Sequence, residues 1–179
     1  MTVKEPATER NLDGCGAPLI PWAKMRERLD QGWTQAPGTG GPDRHTSWLA
    51  TTNPGGSPHV MPLGVLWVDG AMYFNAGAGT RKAKNLADDP RCVITVATHP
   101  FDIVVEGEAV KITDDAELWR IADVYASLGW EPTVRDGALY AEYSAPSAGP
   151  PPWDVYEVAP KTVYALGAAE PYGATRFRF

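Results

Sequence analysis

The dipeptide Asp69-Gly70 lies between two apolar runs, His59–Val68 before it and Ala71–Phe74 after it. Two residues of this kind are a strong hairpin signal, because the turns that match strand twist need positive φ, which Asp and Gly tolerate. The second strand gives way to small residues, Asn75-Ala76-Gly77-Ala78-Gly79, and then to a helical pattern that starts at Thr80 and runs to Asp88. Thr80 is a good N-cap, since its hydroxyl can accept from the free amides of the first turn. Gly77 and Gly79 allow a tight turn and a close approach of backbone to a ligand. Arg81 and Lys82 place two cations beside amides that already favour an anion. Such a segment can hold a phosphate without a Walker loop. It can equally be a solvated basic first turn, and residue types alone leave both readings open.

The neighbouring segments read mainly as strands. Thr46–Thr52 is one, closed by the turn Asn53-Pro54-Gly55-Gly56. Pro58–Val68 is the next, with Pro62 and Gly64 inside it. Proline lacks a ladder amide, so this strand should be an edge or bulged. The irregularity suits a barrel corner, or backbone that faces a planar ligand. Arg91–Thr98 and Phe101–Thr113 follow, the latter with Gly107 as a bend, and Trp153–Val158 continues after Pro160 as Lys161–Leu166. Two further helices are expected. Pro21–Leu29 puts Trp22, Met25 and Leu29 on one face, and Asp114 or Asp115 caps a helix to Leu128 whose stripe is Leu118, Ile121, Ala122, Tyr125 and Leu128. Its Trp119 and Tyr125 are read as core. Residues 1–18 lack periodicity and read as a flexible arm, Pro37–Pro42 as a loop, and 19–179 as one domain.

Composition narrows the function. The net charge of −6 argues against a general nucleic-acid surface, so the cations near residue 81 are a local device. Only two cysteines, far apart, argue against a disulfide framework and for a reducing, cytoplasmic setting. No apolar run approaches membrane-spanning length. His45, His59 and His99 have no metal spacing, and no serine sits in a hydrolase elbow, so neither a metal site nor a catalytic nucleophile is assigned. Gly77-Ala78-Gly79 does not complete a dinucleotide fingerprint.

Taken together, Ser57-Pro58-His59-Val60-Met61-Pro62-Leu63, then Asp69-Gly70, then Thr80-Arg81-Lys82-Ala83-Lys84-Asn85-Leu86, then Asp89-Pro90-Arg91, resemble the pyridoxamine 5′-phosphate oxidases. Those enzymes belong to the FMN-binding split-barrel superfamily, which includes oxidoreductases using the deazaflavin coenzyme F-420. The resemblance implies a mainly β fold, a six-stranded antiparallel split barrel with flanking helices, and a homodimer with the cofactor across its interface. It implies FMN or the deazaflavin as cofactor and a small-molecule substrate. It places the phosphate grip on Thr80, Arg81 and Lys82, ring contacts on His59, Val60, Met61 and Pro62, and ring-edge contacts on Phe74 and Asn75. The oxidases' C-terminal Arg-Leu-x-Pro, which serves pyridoxal phosphate, is absent; the chain ends Thr175-Arg176-Phe177-Arg178-Phe179. The activity implied is hydride transfer between cofactor and an unassigned organic substrate. The alternative is a non-catalytic carrier of a cofactor or haem.

Overall fold

The computed structural model describes residues 4–33, 45–145 and 148–179. The Pro37–Pro42 loop of the sequence reading lies outside them. Eleven strands and three helices are assigned: β1 (Thr8–Asn11), α1 (Trp22–Asp30), β2 (Ser47–Thr52), β3 (Pro58–Leu63), β4 (Leu66–Val68), β5 (Ala71–Ala76), α2 (Arg81–Asp88), β6 (Arg91–Ala97), β7 (Phe101–Lys111), α3 (Asp115–Ser127), β8 (Thr133–Arg135), β9 (Ala138–Tyr140), β10 (Asp154–Gly167) and β11 (Ala174–Arg178).

Nine strands form one antiparallel sheet, so the fold is mainly β as expected, but the six-strand count is corrected. The path runs β1-β11-β10-β7-β6-β2-β3, and among the described residues it does not close into a barrel. β4 and β5 branch from it, with β5 on the first half of β10. The extra strands come from three sources. Pro58–Val68 breaks at Gly64 and Val65 into β3 and β4. The aromatic and cationic tail is β11, where Phe177 turns inward and the arginines outward. Thr8–Asn11, read as part of an arm, is an edge strand paired with β11. Its turn is held by Asp13, whose Oδ1 accepts from Cys15 N at 2.8 Å and from Ala17 N at 2.8 Å.

Directly opposed residues share a face, so the register defines rows across the sheet. One inner row is Phe177, Val163, Val105, Ile94, Leu49 and Met61. The first five of these are fully buried. The matching outer row is Arg10, Arg176, Tyr164, Val104, Thr95, Trp48 and Pro62. α1 closes the inner core with Trp22, Met25 and Leu29, and Trp22 packs on Phe177 with ring centroids 5.2 Å apart.

A second core lies under α3, where Leu118, Ile121, Ala122 and Tyr125 meet Leu66, Ala71, Tyr73 and Val155. β5 is thus covered on both faces, with Met72 and Phe74 in one core and Ala71 and Tyr73 in the other, which is why it reads as a continuous apolar run. Leu128 (65 % exposed) and Trp119 (47 %), expected inside, lie out; Trp119 is one position off the buried stripe.

Gly107 does sit at an irregularity, but the extra residue is on the other strand. Its partner is Pro160, the next pair is Glu106 with Thr162, and Lys161 is left over. A Cβ at Gly107 would lie 2.7 Å from the Ala159 carbonyl oxygen, so the two strands touch there.

Candidate functional site

The site begins with how α2 starts. The Thr80 hydroxyl donates to the Gly77 carbonyl at 2.8 Å and accepts from Ala83 N at 3.4 Å, the capping expected from the sequence. Neither Gly77 nor Gly79 has positive φ. A Cβ at Gly77 would lie 3.0 Å from the Ala148 carbonyl, so this glycine admits the 148 loop, while Gly79 faces open space.

Arg81 projects outward and Lys82 is buried. Lys82 makes no hydrogen bond or ion pair with a described residue, and desolvation alone pushes its pKa down. Lys82, Asn85 and Leu86 share the inner face of α2, as i, i+3 and i+4 positions do. The Asn85 amide donates to Thr51 Oγ1 and to Asn53 Oδ1, each at 3.1 Å. Its own Oδ1 is buried and unpaired. On this one helix face Lys82 has no partner among the described residues, and the Asn85 Oδ1 is sealed from solvent and unpaired, which costs desolvation uncompensated. Of these groups the Lys82 ammonium suits an anionic ligand at the helix start; the Asn85 oxygen, an acceptor, does not.

The remaining candidates divide by face. His59 and Met61 stand opposite Thr51 and Leu49 on the inner side of β3, and Thr51 ties β2 to Asn85 and so to α2. Val60 and Pro62 stand opposite Ala50 and Trp48 on the outer side. Pro62 is accommodated because β3 ends the sheet path and, among the described residues, pairs with β2 alone. Phe74 is wholly buried and stacks on Tyr156, centroids 5.2 Å apart and planes 12° apart. Asn75 points to the other face of β5, toward the buried Tyr125 hydroxyl, whose pKa burial raises. The structure therefore places Thr80, Arg81 and Lys82 at the start of α2, with Arg81 outward and Lys82 inward, puts His59 and Met61 on the inner side of β3 next to the strand that Asn85 grips, and turns the side chains of Val60, Pro62, Phe74 and Asn75 elsewhere. Sequence reasoning missed Asn85, Thr51 and Asn53; the one available signal was an amide three residues after Lys82, on the helix face that must be buried.

The charges around Arg120 are structural. Arg120 bridges Glu117 and Asp69 and donates to the Tyr73 hydroxyl at 3.1 Å, fastening α3 to the β4–β5 hairpin. Desolvation, with Glu157 adding repulsion, pushes Tyr73 up to about 12. Among the described residues no group of three or more His, Cys, Asp or Glu could hold a metal. No helix of the described chain is long and apolar enough to cross a membrane.

The fold and site together are a wide antiparallel sheet with a cationic helix start seated against β2. The chain belongs to the pyridoxamine 5′-phosphate oxidase family, which its sequence matches over residues 41–167, more than half its length. No curated protein sequence matches it significantly. Among solved structures it is similar to a pyridoxamine 5′-phosphate oxidase-related, FMN-binding protein of Nostoc punctiforme, with TM-score 0.55, 18 % identity and coverage of 88 % of this chain and 90 % of that one. It is also similar to General Stress Protein 26 of Bacillus anthracis, with TM-score 0.53, 15 % identity and coverage of 79 % and 92 %. At such identities the likeness concerns the fold.

Proposed function

We propose that this protein is a cytoplasmic, homodimeric flavin- or deazaflavin-dependent oxidoreductase acting on a small organic substrate. The observation that carries the reading is Lys82, largely covered and without a partner among the described residues, at the start of a Thr80-capped helix. A phosphate there would accept from the first-turn amides, from Lys82 and from Arg81. FMN and coenzyme F-420 both present a phosphate, so both suit the grip. When bound, either supplies the hydride chemistry. The chain's residues supply the anchor at Thr80, Arg81 and Lys82, with His59, Val60, Met61, Pro62, Phe74 and Asn75 proposed around the ring. His59 and Met61, on the inner side of β3, would act through their side chains. Exposed Trp48 and Val60 on the outer face of β2 and β3 support a dimer, since large apolar groups side by side there would be covered by a second copy.

Titration of the apo-protein with FMN and with coenzyme F-420 tests this. Arg81→Ala with Lys82→Ala should weaken binding by about two to four decades, as two charge-assisted contacts of roughly 1.5–3 kcal/mol each would. Unchanged affinity with the fold intact would overturn the assignment. The absorbance spectrum of the purified protein separates flavin and deazaflavin from haem, the ligand of the carrier alternative.

A further inference from the structure

At the far end of the sheet path lies a second set of cations. Arg10 on β1 is directly opposite Arg176 on β11, and Arg178 follows two residues on, so all three guanidinium groups stand on the outer face. Phe177 between them turns into the core, which fixes that facing. None of the three forms a hydrogen bond or ion pair through its side chain with a described residue. Arg176 is half-buried, and its Nε is sealed from solvent with no acceptor. By register the flanking outer-face residues are Thr8, Thr162 and Tyr164, and the first carboxylate in these rows is Glu106, beyond Thr162 from Arg178. Like charges placed directly opposite on neighbouring strands destabilise the pair. In a chain of net charge −6 with carboxylates to spare, three arginines without partners leave the attraction to be supplied from outside.

We propose that Arg10, Arg176 and Arg178 form an oxyanion-binding site on the outer face of β1 and β11, for a small ligand carrying a phosphate or clustered carboxylates. Guanidinium forks match both groups, and three of them one strand spacing or one side-chain repeat apart suit a polyvalent anion. The site is separate from the start of α2. Three strands, β10, β7 and β6, lie between β11 and β2, and Asn85 approaches β2 from the inner side. It does not depend on the cofactor reading.

The test is thermal denaturation of the full chain, titrated with inorganic phosphate or with citrate, against sodium chloride at matched ionic strength. The melting temperature should rise with phosphate, citrate or both, beyond the chloride control, and which of the two acts identifies the ligand class. Arg176→Gln and, separately, Arg178→Gln should weaken the apparent affinity by roughly ten-fold or more. Arg178 is exposed, so its substitution leaves the fold intact. Arg81→Gln with Lys82→Gln should leave this response in place. A rise no greater than with chloride overturns the proposal. So does a rise unaffected by either arginine variant, or one lost only in the Arg81 and Lys82 variant, which would locate the anion at α2.

Discussion

The Asn85 side-chain amide donates to the Thr51 hydroxyl at 3.1 Å, and this bond joins the buried face of α2 to the inner side of β2. A second bond from the same nitrogen reaches Asn53 Oδ1 at 3.1 Å, where the strand enters its turn. Asn85→Ala removes both and leaves the Thr51 hydroxyl buried without its donor. The expected loss is about 1–3 kcal/mol of unfolding free energy, the range for stranding a buried polar group. Denaturant melts measure it. A loss confined to cofactor binding, with unchanged stability, would show that the bonds do not hold the helix in place.

Gly107 and Gly79 make opposite predictions. A Cβ at Gly107 would meet the Ala159 carbonyl oxygen and Val158 Cγ1, each at 2.7 Å. Gly107→Ala must therefore push β7 and β10 apart, and a loss of about 1–3 kcal/mol is expected. Gly79 has open space around its Cα and no positive φ, so Gly79→Ala should be neutral or stabilising by up to about 1 kcal/mol. If Gly79 is there to let a ligand approach, Gly79→Ala lowers cofactor affinity while the melting temperature holds or rises. Equal losses of stability in the two variants would contradict the contact geometry.

Local chemistry made much of this legible from the residues. Thr80 caps α2, Trp22, Met25 and Leu29 share a face, and Asp69-Gly70 joins β4 to β5, because caps, helical stripes and two-residue turns are set by near neighbours. Thr8–Asn11 was not legible, because all four of its residues are exposed and it is a strand only through its pairing with β11. The Phe74 side chain could not be placed either. A strand's sequence gives alternation, but which face meets Tyr156 depends on a partner far along the chain. Nor could Asn85 be read as a tie to Thr51, since nothing in an isolated helix says what its inner face will meet.

The two cysteines should differ in reactivity. Cys92 is buried on β6, and desolvation pushes its thiol up to about 12, so almost no thiolate is present near neutral pH. Cys15 is exposed beside the turn after β1. A thiol reagent applied to the folded protein at about pH 8 should label Cys15 alone, and Cys92 only once the chain is unfolded. Native labelling of Cys92 at the rate of Cys15 would mean that β6 opens far more often than its place in the sheet allows.

Lys82 gives the pH dependence of the proposed site. Its ordinary value is 10.5, and burial lowers it in the folded chain. Below both values the charged lysine costs the fold its desolvation. Between the lowered value and 10.5 the unfolded chain holds the extra proton, so this contribution to stability improves as pH rises across that window. A bound phosphate reverses the preference, because its charge favours the ammonium form. Binding therefore takes up a proton once pH exceeds the lowered value. Phosphate itself stays dianionic above a second pKa of about 6, so FMN affinity should decline through Lys82 as pH rises past its lowered value toward 10.5. A Lys82→Arg variant keeps its positive charge throughout this range, because a guanidinium does not titrate there, and it should show a flatter profile. Lys82→Gln should bind weakly and with little slope. Fluorescence titrations of the three proteins across this range measure the effect. A wild-type slope shared by Lys82→Gln would remove Lys82 from the phosphate grip.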